Sequence, residues 1–114
     1  MFDDTTMTAI GSALSGLSAR QRVIADNIAN INTPGYQAKR VEFEDALRSA
    51  IANGDDASVS PEVARSLEPT RLDGNNVNLD EETLDNVDTG LRYSLMLRAA
   101  DSEFSILRTS MRTS

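Results

Sequence analysis

Two residue types that carry much of enzyme chemistry are missing, because the 114 residues include no cysteine and no histidine. Disulfides, thiol nucleophiles, serine–histidine triads and the usual zinc sites are therefore excluded. Tryptophan is absent too, and the few aromatic residues are Phe2, Tyr36, Phe43, Tyr93 and Phe104. Since aromatic side chains bury the most area, this chain has a weak core or completes its core with partners, and we favour partners.

Long hydrophobic runs are also missing. No stretch of about twenty apolar residues is present that could span a membrane. The first residues, Met1 to Asp4, lack the basic segment and the apolar run of a cleavable secretory signal. If the protein leaves the cytoplasm, we expect a route that cleaves no such signal.

The net charge of −7 is concentrated in the middle of the chain. Residues 41–90 hold thirteen acidic and three basic side chains, whereas residues 1–40 and 91–114 are near neutral or slightly basic. Nucleic-acid binding needs a clustered basic surface, which this distribution does not provide. The acidic middle predicts a solvated, loosely folded region.

A long amphipathic helix is predicted from Thr5 to Ile31, about 40 Å in length. Its apolar residues recur three and four apart, with Gln21 in the one missing place, and form a seam: Met7, Ile10, Leu14, Leu17, Ile24, Ile28 and Ile31. So narrow a seam is typical of a helix that packs on another helix. Gly11 and Gly16 each lower the stability of this helix by about 1 kcal/mol relative to alanine.

Pro34-Gly35 ends this helix and fits the central positions of a type II turn. A short second helix is predicted from Glu42 to Ala52, with Asn53-Gly54 at its end. The apolar face of that helix comprises Phe43, Ala46, Leu47 and Ile51. Residues 55–73 contain two prolines and show no clean period, so an extended or disordered connector is expected there.

The last helix is predicted from Asn78 to Arg112. Asn78 and Glu81 form a capping-box pattern, which accounts for the acidic residues 80–82 better than a metal or acid/base cluster does. The apolar residues form two stripes whose phase shifts near residues 90–93: Leu84, Val87, Leu91 and Leu95, then Tyr93, Leu97, Ala100, Phe104, Leu107 and Met111. Such a shift permits contact with more than one neighbour, although a local irregularity in one contact would give the same pattern.

These elements predict an all-α fold, with two long terminal amphipathic helices packed as an antiparallel, coiled-coil-like pair. We divide the chain into an N-terminal helix (1–33), a turn with a short helix and a flexible acidic connector (34–77), and a C-terminal helix (78–114). The predicted seams are Ile10, Leu14, Leu17, Ile24, Ile28, Leu84, Val87, Leu91, Leu97, Phe104 and Leu107. Two helices leave apolar surface uncovered, which an open polymer of repeating subunits or a closed four-helix dimer would cover.

The segment from Asn27 to Tyr36 resembles the N-terminal signature that flagellar rod and hook proteins share. The matching positions are Asn27, Ala29, Asn30, Thr33, Pro34, Gly35 and Tyr36. Two further stretches are similar to the rod proteins of the proximal segment in particular: Val41-Glu42-Phe43-Glu44 with Leu47, and a second block that includes Gly74, Asn75, Val77 and Asp80. The hook and distal rod relatives carry large inserted domains, for which this chain has no room. The chain is therefore identified as resembling the flagellar basal body rod family.

The resemblance implies a structural subunit of the rod that crosses the periplasm. Such a subunit polymerises through its terminal helices with copies of itself and with other rod proteins. It contacts the small ring–rod adaptor and the export gate at the rod base. The resemblance also implies export through the flagellar type III apparatus without signal cleavage, and terminal helices that are marginally stable before assembly.

The resemblance suggests roles for particular residues. Asn27 and Asn30 could hydrogen-bond to groups of a neighbour, where an aliphatic residue could not. Thr33-Pro34-Gly35 would set the angle at which the chain leaves the first helix, with Tyr36 as an anchor, or would simply stop that helix. Phe43 and Leu47 match a short apolar export pattern, although a packing face explains the same spacing.

Three other functions were compared with a rod subunit. A calcium loop around Asp73-Gly74-Asn75 fails on spacing, because Pro69 and Arg71 would occupy ligand positions. A carboxylate enzyme would need a partly apolar pocket, which an acidic and aromatic-poor chain does not supply. We therefore expect no enzyme, no cofactor, no metal and no small-molecule substrate. The remaining alternative is a cytosolic helical adaptor that binds a single partner through its amphipathic helices.

Overall fold

The computed structural model describes residues 4–54 and 57–113. In chain order its elements are helix α1 (Asp4–Ala29), strand β1 (Lys39–Glu42), helix α2 (Glu44–Ala52), strand β2 (Glu62–Arg65) and helix α3 (Leu79–Thr113). The molecule is long and flat, with dimensions of 65 × 26 × 14 Å. Within the described residues, no helix combines the length and the apolar character needed to cross a membrane.

The two long helices pack side by side and run in opposite directions. Near the end of α1, Asn27 donates a hydrogen bond of 3.0 Å to Glu82, which lies in the first turn of α3. Further along, Tyr93 and Met96 of α3 pack against a core cluster that includes Leu17 in the middle of α1. The predicted packing of the terminal helices against each other is therefore confirmed.

The fold is not all-α, because the middle of the chain contributes a two-stranded sheet. Strands β1 and β2 pair antiparallel, with Lys39 opposite Arg65 and Glu42 opposite Glu62. Of the two alternatives expected for the connector, extended or disordered, residues 57–73 show the extended one, since they include β2 and since Ala57 and Ser66 are buried; residues 55 and 56 lie outside the described part. Strands of four residues are too short to show a side-chain period, and their stability comes from backbone pairing with a distant segment.

The helix ends agree with the sequence to within two residues. Helix α1 stops at Ala29, and a turn follows in which Gly35 has a φ of +74° and the Tyr36 amide donates to the Thr33 carbonyl at 3.2 Å. Positive φ at the third position and this hydrogen bond are those of a type II turn. Helix α2 begins at Glu44 because Glu42 already belongs to β1.

The core lies between α1, β1 and α2. Its buried residues are Leu17, Ala19, Val41 and Phe43, and the partly buried residues around them are Ala13, Val23, Leu47, Val59, Tyr93 and Met96. The ring of Phe43 lies directly on Gly16, where any added Cβ would overlap it. Helix α1 thus packs much of its apolar face on β1 and Phe43.

The seam predicted for α3 does not pack on α1 in the single subunit. Leu84, Val87 and Leu91 are 71%, 66% and 59% exposed. Further along α3, Leu97 and Phe104 are also exposed, and Leu107 is half-buried. The seam of α1, in contrast, is covered: Ile10, Leu17 and Ile24 are buried, and Leu14 and Ile28 are half-buried. In the single subunit this part of the predicted seam is left exposed, and β1 and Phe43 pack on part of the apolar face of α1, so the helix that the α3 seam contacts stays a prediction. The α3 residues that turn toward α1 include Glu82 and Thr89, both buried.

Candidate functional site

The two blocks that resemble rod proteins meet at one end of the helix pair. There the end of α1, the start of β1 and the segment leading into α3 are joined by the side chains of Asn27, Asn75 and Asn76 and by the backbone carbonyl of Asn30, which accepts from Asn75. We call this set of four residues the asparagine junction. Three of them, Asn27, Asn75 and Asn76, are at most 5% exposed, so their amide groups depend on partners within the protein.

Asn27 connects α1 to both β1 and α3. Its Nδ2 donates to the Lys39 carbonyl at 2.9 Å and to Glu82 Oε1 at 3.0 Å. Its Oδ1 accepts from the Lys39 amide at 3.0 Å and from the Tyr36 hydroxyl at 3.1 Å. With 1% exposure and these bonds within the chain, Asn27 is not available to a neighbouring subunit, which corrects that part of the hypothesis from the sequence.

Asn75 hydrogen-bonds to the turn that follows α1. Its Nδ2 lies 2.8 Å from the Asn30 carbonyl, 3.2 Å from the Ile31 carbonyl and 2.9 Å from the Thr33 carbonyl. These carbonyls belong to the turn that follows α1, and a side chain up to 45 residues away in the chain supplies them with a donor. The Oδ1 of Asn75 accepts from the Val77 amide at 2.7 Å, which fixes the chain as it enters α3.

Asn76 and Asn78 continue the same segment. Asn76 accepts from the Ala38 amide at 2.6 Å and donates to the Ser66 and Glu68 carbonyls, so it joins the start of β1 to the chain after β2. Asn78 accepts from the amides of residues 80 and 81 at 3.1 and 3.3 Å, as a helix N-cap does. One short segment therefore ends α1, positions the sheet and starts α3.

Two glycines allow the two family blocks to touch. The Gly35 amide donates to the Asp73 carbonyl at 2.8 Å. Gly74 has a φ of +83°, and a Cβ added to it would lie 3.3 Å from the Gly35 Cα. Gln37 donates to the Gly74 carbonyl at 2.6 Å, and Arg71 donates to the carbonyls of Val77 and Ile31. Both the close approach and the positive φ require glycine at position 74.

A salt bridge between Arg20 and Glu44 lies beside the junction, at the edge of the core. Arg20 donates to both carboxylate oxygens of Glu44, at 2.6 and 2.7 Å, and to the Val41 carbonyl at 2.7 Å. Its guanidinium carbon also lies 5.1 Å from the centre of the Phe43 ring. The hydrogen bonds from Arg20 lower the pKa of the Glu44 carboxyl. Bidentate pairing of this kind is among the stronger side-chain contacts and links α1 to α2 and β1.

The face of α3 that meets α1 near the junction carries unusual polar groups. Burial raises the pKa of the Glu82 carboxyl, and the nearby charges of Asp85 and Glu81 act in the same direction. The hydroxyl of Thr89 is buried and has no hydrogen-bond partner among the described residues. Burying these two polar groups therefore costs stability.

The structure groups the residues singled out from the sequence in two ways. Asn27, Asn30, Tyr36, Gly74 and Asn75 meet at the junction. The turn after α1, at the outside of the junction, contains the exposed residues Thr33, Pro34 and Gly35, and exposed Ala29 is the last residue of α1. Val77 is buried beside the junction, and Asp80 is exposed in the first turn of α3. Phe43 and Leu47 lie in and against the core. Arg20 and Arg71 carry no signal in the sequence, and the partners of Glu44 and Glu82 could not be foreseen, because contacts with residues distant in the chain leave no periodic pattern.

Comparison with known proteins matches the first of the two family blocks and most of the chain. The family model of the flagella basal body rod protein matches residues 7–37. The flagellar basal body rod protein FlgB of Escherichia coli (strain K12) is 32% identical, over 80% of this chain and 81% of that protein. FlgB of Bacillus subtilis (strain 168) is 30% identical over 91% of each chain, and FlgB of Borrelia hermsii is 36% identical over 72% of this chain and 77% of its own.

The chain belongs to the FlgB family of flagellar basal body rod proteins. It is accordingly a structural subunit of the proximal rod in the flagellar basal body, and not an enzyme. Within the subunit, the asparagine junction ties the end of α1 to the start of α3.

Proposed function

We propose that this subunit polymerises through the exposed faces of its terminal helices. In that role it joins the inner-membrane ring and the export gate to the rest of the rod. The N-terminal helix (1–33) and the C-terminal helix (78–114) form the core of the rod wall, and residues 34–77 support these helices. The partners at the rod base are a small ring–rod adaptor and the export gate, and the subunit reaches the periplasmic rod through the flagellar type III apparatus without signal cleavage.

The observation that supports polymerisation is the uncovered face of α3. Leu84, Val87, Leu91 and Leu95 are each at least half exposed and recur three and four residues apart, so they form one continuous apolar stripe. Large contiguous apolar patches on a soluble surface mark interaction sites. A subunit with few aromatic residues completes its apolar core by burying this stripe against a neighbour.

The asparagine junction, at one end of the helix pair, supports the same role. Subunits of a helical polymer must present their contact faces at a fixed angle, since small errors accumulate from copy to copy. Asn27 and Asn75 hold α1 and α3 in one arrangement through hydrogen bonds that are buried from water. Buried, satisfied polar contacts of this kind specify one geometry more sharply than apolar packing alone.

We also propose that Phe43 and Leu47 are read by the export apparatus before the chain folds. In the folded subunit Phe43 is 5% exposed and Leu47 is half-buried, so the folded protein hides them. The two roles are compatible in time, because the same side chains pack into the core after export. A Leu47→Ala variant with undiminished export would count against the export role.

The proposed function can be tested with a matched pair of substitutions in α3. Val87→Glu adds a charge to the exposed stripe, whereas Asn86→Glu adds the same charge to an exposed position outside it. Because Val87 is 66% exposed, the isolated subunit should fold equally well with either change, as circular dichroism can verify. In cells whose own copy of the gene is replaced, we expect Val87→Glu to abolish swimming and Asn86→Glu to preserve it.

Purified basal bodies decide between a rod subunit and a cytosolic adaptor. A rod subunit is present in basal bodies, and its loss stops rod assembly. If cells without the gene still build complete rods, or if the protein stays in the cytosol and forms a one-to-one complex with a single partner, the proposed function is wrong.

A further inference from the structure

Helix α3 contains a glycine that its packing does not require. Gly90 lies near the middle of this helix of 35 residues. Apart from the neighbouring backbone of the helix itself, a Cβ added there would meet no atom within 4 Å, whereas one added to Gly16 would overlap the Phe43 ring. A glycine inside a helix lowers the stability of that helix relative to alanine. Gly90 therefore weakens α3 locally without any gain in packing.

The residue before Gly90 adds a second cost to the straight helix. Thr89 is 1% exposed, and its Oγ1 has no hydrogen-bond partner among the described residues. Two other threonines of α3, Thr83 and Thr109, donate to the carbonyl four residues earlier, at 2.8 and 3.0 Å. A buried hydroxyl without a partner destabilises the conformation that buries it. Movement of α3 away from α1 at this position would return the hydroxyl of Thr89 to water.

The hydrogen bonds that hold α3 in place are concentrated at its first end. Asn78 accepts from the first amides of the helix, and Glu82 accepts from Asn27 of α1 at 3.0 Å. Between residues 83 and 108, no side chain forms a hydrogen bond with a described residue outside α3. The asparagine junction therefore fixes the start of α3 and leaves the rest of the helix to weaker contacts.

The contacts beyond Gly90 are few. Arg92 forms an ion pair with Glu44 at 3.9 Å, and because both side chains are partly exposed this pair contributes little. Tyr93 and Met96 pack against the core but are only partly buried. The straight form of α3 beyond Gly90 thus depends on one loose ion pair and two partly buried side chains.

The apolar pattern of α3 also changes phase close to Gly90. One apolar stripe ends at Leu95, and the second begins at Tyr93 and continues to Met111. Because a change of phase turns the apolar residues to another side of the helix, the two parts of α3 make contacts on different sides. They are not required to move as one body.

We propose that α3 is jointed at Gly90, so that residues 91–113 bend relative to residues 79–89, and that rod assembly requires this bend. Sharp bends in helices occur at a few kinds of residue, glycine among them. The requirement for assembly rests on the proposed function, in which the subunit contacts the adaptor and the export gate as well as other rod proteins. Copies of one chain then have different neighbours, and a joint in α3 lets the same sequence fit these unequal positions.

Gly90→Ala and Gly11→Ala form a matched pair for the test, because neither added Cβ meets an atom outside its own stretch of helix. Alanine favours the helix at both positions, so each variant should raise the melting temperature of the isolated subunit by about 2 to 6 °C. At Gly90 the same preference should lower the population of the bent form about fivefold.

The two variants should therefore differ in cells that carry only the variant gene. We expect Gly11→Ala to swim as well as the wild type, and Gly90→Ala to assemble about fivefold fewer rods although its isolated subunit is more stable. Rod numbers and swimming that are the same in the two variants would overturn the proposal.

The absence of cysteine lets spin labels measure the bend directly. Ser15→Cys on α1 and Ser105→Cys on α3 each place one nitroxide at an exposed position. Since position 105 lies fifteen residues beyond Gly90, a bend of about 30° moves it by roughly 11 Å. Double electron–electron resonance on the isolated subunit should give a broad or two-peaked distance distribution that narrows to one peak in Gly90→Ala. A single narrow distance with glycine at position 90 would overturn the proposal.

Two controls separate a bend from unravelling of the helix end. Ser15→Cys with Asn86→Cys labels an exposed position before the joint and should give one narrow distance with either glycine or alanine at position 90. Ser102→Ala raises helix propensity beyond the joint and should leave the distribution for position 105 unchanged. If Ser102→Ala narrows that distribution as much as Gly90→Ala does, the motion is fraying of the end and the proposal is wrong.

The two proposals fail separately. Swimming that persists after removal of the gene would contradict the rod subunit. Swimming that depends on the gene but is the same for Gly90→Ala and Gly11→Ala would keep the rod subunit and reject the joint.

Discussion

Asparagine suits the junction because its amide group carries two donor hydrogens and an acceptor on a short side chain. Asn75 uses the donors for carbonyls of the turn that follows α1 and the acceptor for the Val77 amide. Aspartate offers no donor at neutral pH and alanine offers neither group, so neither could replace it without leaving backbone groups unpaired.

At this scale we predict that Asn75→Ala lowers the free energy of unfolding by at least about 2 kcal/mol, because several buried backbone groups lose their partner. Urea unfolding followed by circular dichroism measures it. The control is Asn86→Ala at an exposed helical position, where a change within roughly 0.5 kcal/mol is expected. Equal effects of the two substitutions would contradict the role of Asn75.

Glu82 gives a prediction with a pH dependence. Its pKa is raised in the folded protein by burial. A carboxyl whose pKa is higher in the folded than in the unfolded protein stabilises the fold when it is protonated. This contribution is fully present below the pKa of the unfolded protein, and it is lost as pH rises through the pKa of the folded protein. Glu82→Gln keeps an acceptor for Asn27 but carries no charge, so we expect the variant to be more stable than the wild type at pH 7.

The pH dependence of that gain is the deciding measurement. Below about pH 4 the wild-type carboxyl is itself largely protonated, so the advantage of Glu82→Gln should disappear. Urea unfolding of both proteins at pH 7 and at pH 4 provides the comparison. A gain that is the same at both pH values would show that ionisation of Glu82 does not matter for stability.

At the scale of the elements, two glycines of α1 have opposite effects on the stability of the protein. Gly16 lies under the Phe43 ring, where an added Cβ would overlap it, and Gly11 has no atom within 4 Å of an added Cβ. The first glycine permits close packing of α1 on the segment between β1 and α2. The second only lowers the intrinsic stability of the helix.

We therefore predict opposite signs for the same substitution. Gly11→Ala should stabilise the protein by about 0.5 to 1 kcal/mol through helix propensity. Gly16→Ala should destabilise it, because overpacking typically costs about 1 to 3 kcal/mol and outweighs that gain. Thermal unfolding of both variants measures the difference. Stabilisation by Gly16→Ala would mean that the Phe43 ring moves aside freely.

At the scale of the whole molecule, order should be unequal along α3. Its first half is tied to the junction and packs on α1, whereas its last turns extend toward the end of that contact. A helical segment without tertiary contacts is marginal in water. We predict that backbone amides of residues 98–112 exchange with solvent at least about tenfold faster than those of residues 82–93 in the isolated subunit.

Hydrogen exchange measured by mass spectrometry checks this, with assembled rods as the comparison. In rods the distal half should become protected, since a neighbour then covers Phe104 and Met111. Equal protection of both halves in the isolated subunit would show that the distal half is stable without any partner.

The sequence by itself determined the local features and the family. Helix ends, the turn at Pro34-Gly35 and the cap at Asn78 follow from backbone chemistry within a few residues, and the two family blocks could be matched by residue type. The periodicity of α3 also gave its two stripes, because that pattern depends only on helical geometry.

Only the tertiary structure decided which surfaces meet. Several contacts join residues far apart in the chain: the short sheet, the Arg20–Glu44 pair, and the hydrogen bonds from Asn75 to the turn after α1. No local pattern in the sequence encodes such pairings. Hydrophobic spacing likewise shows that Leu84 and Leu91 share a face but not what lies against it. In the folded subunit β1 and Phe43 pack on part of the apolar face of α1, and the α3 stripe that contains Leu84 and Leu91 is exposed.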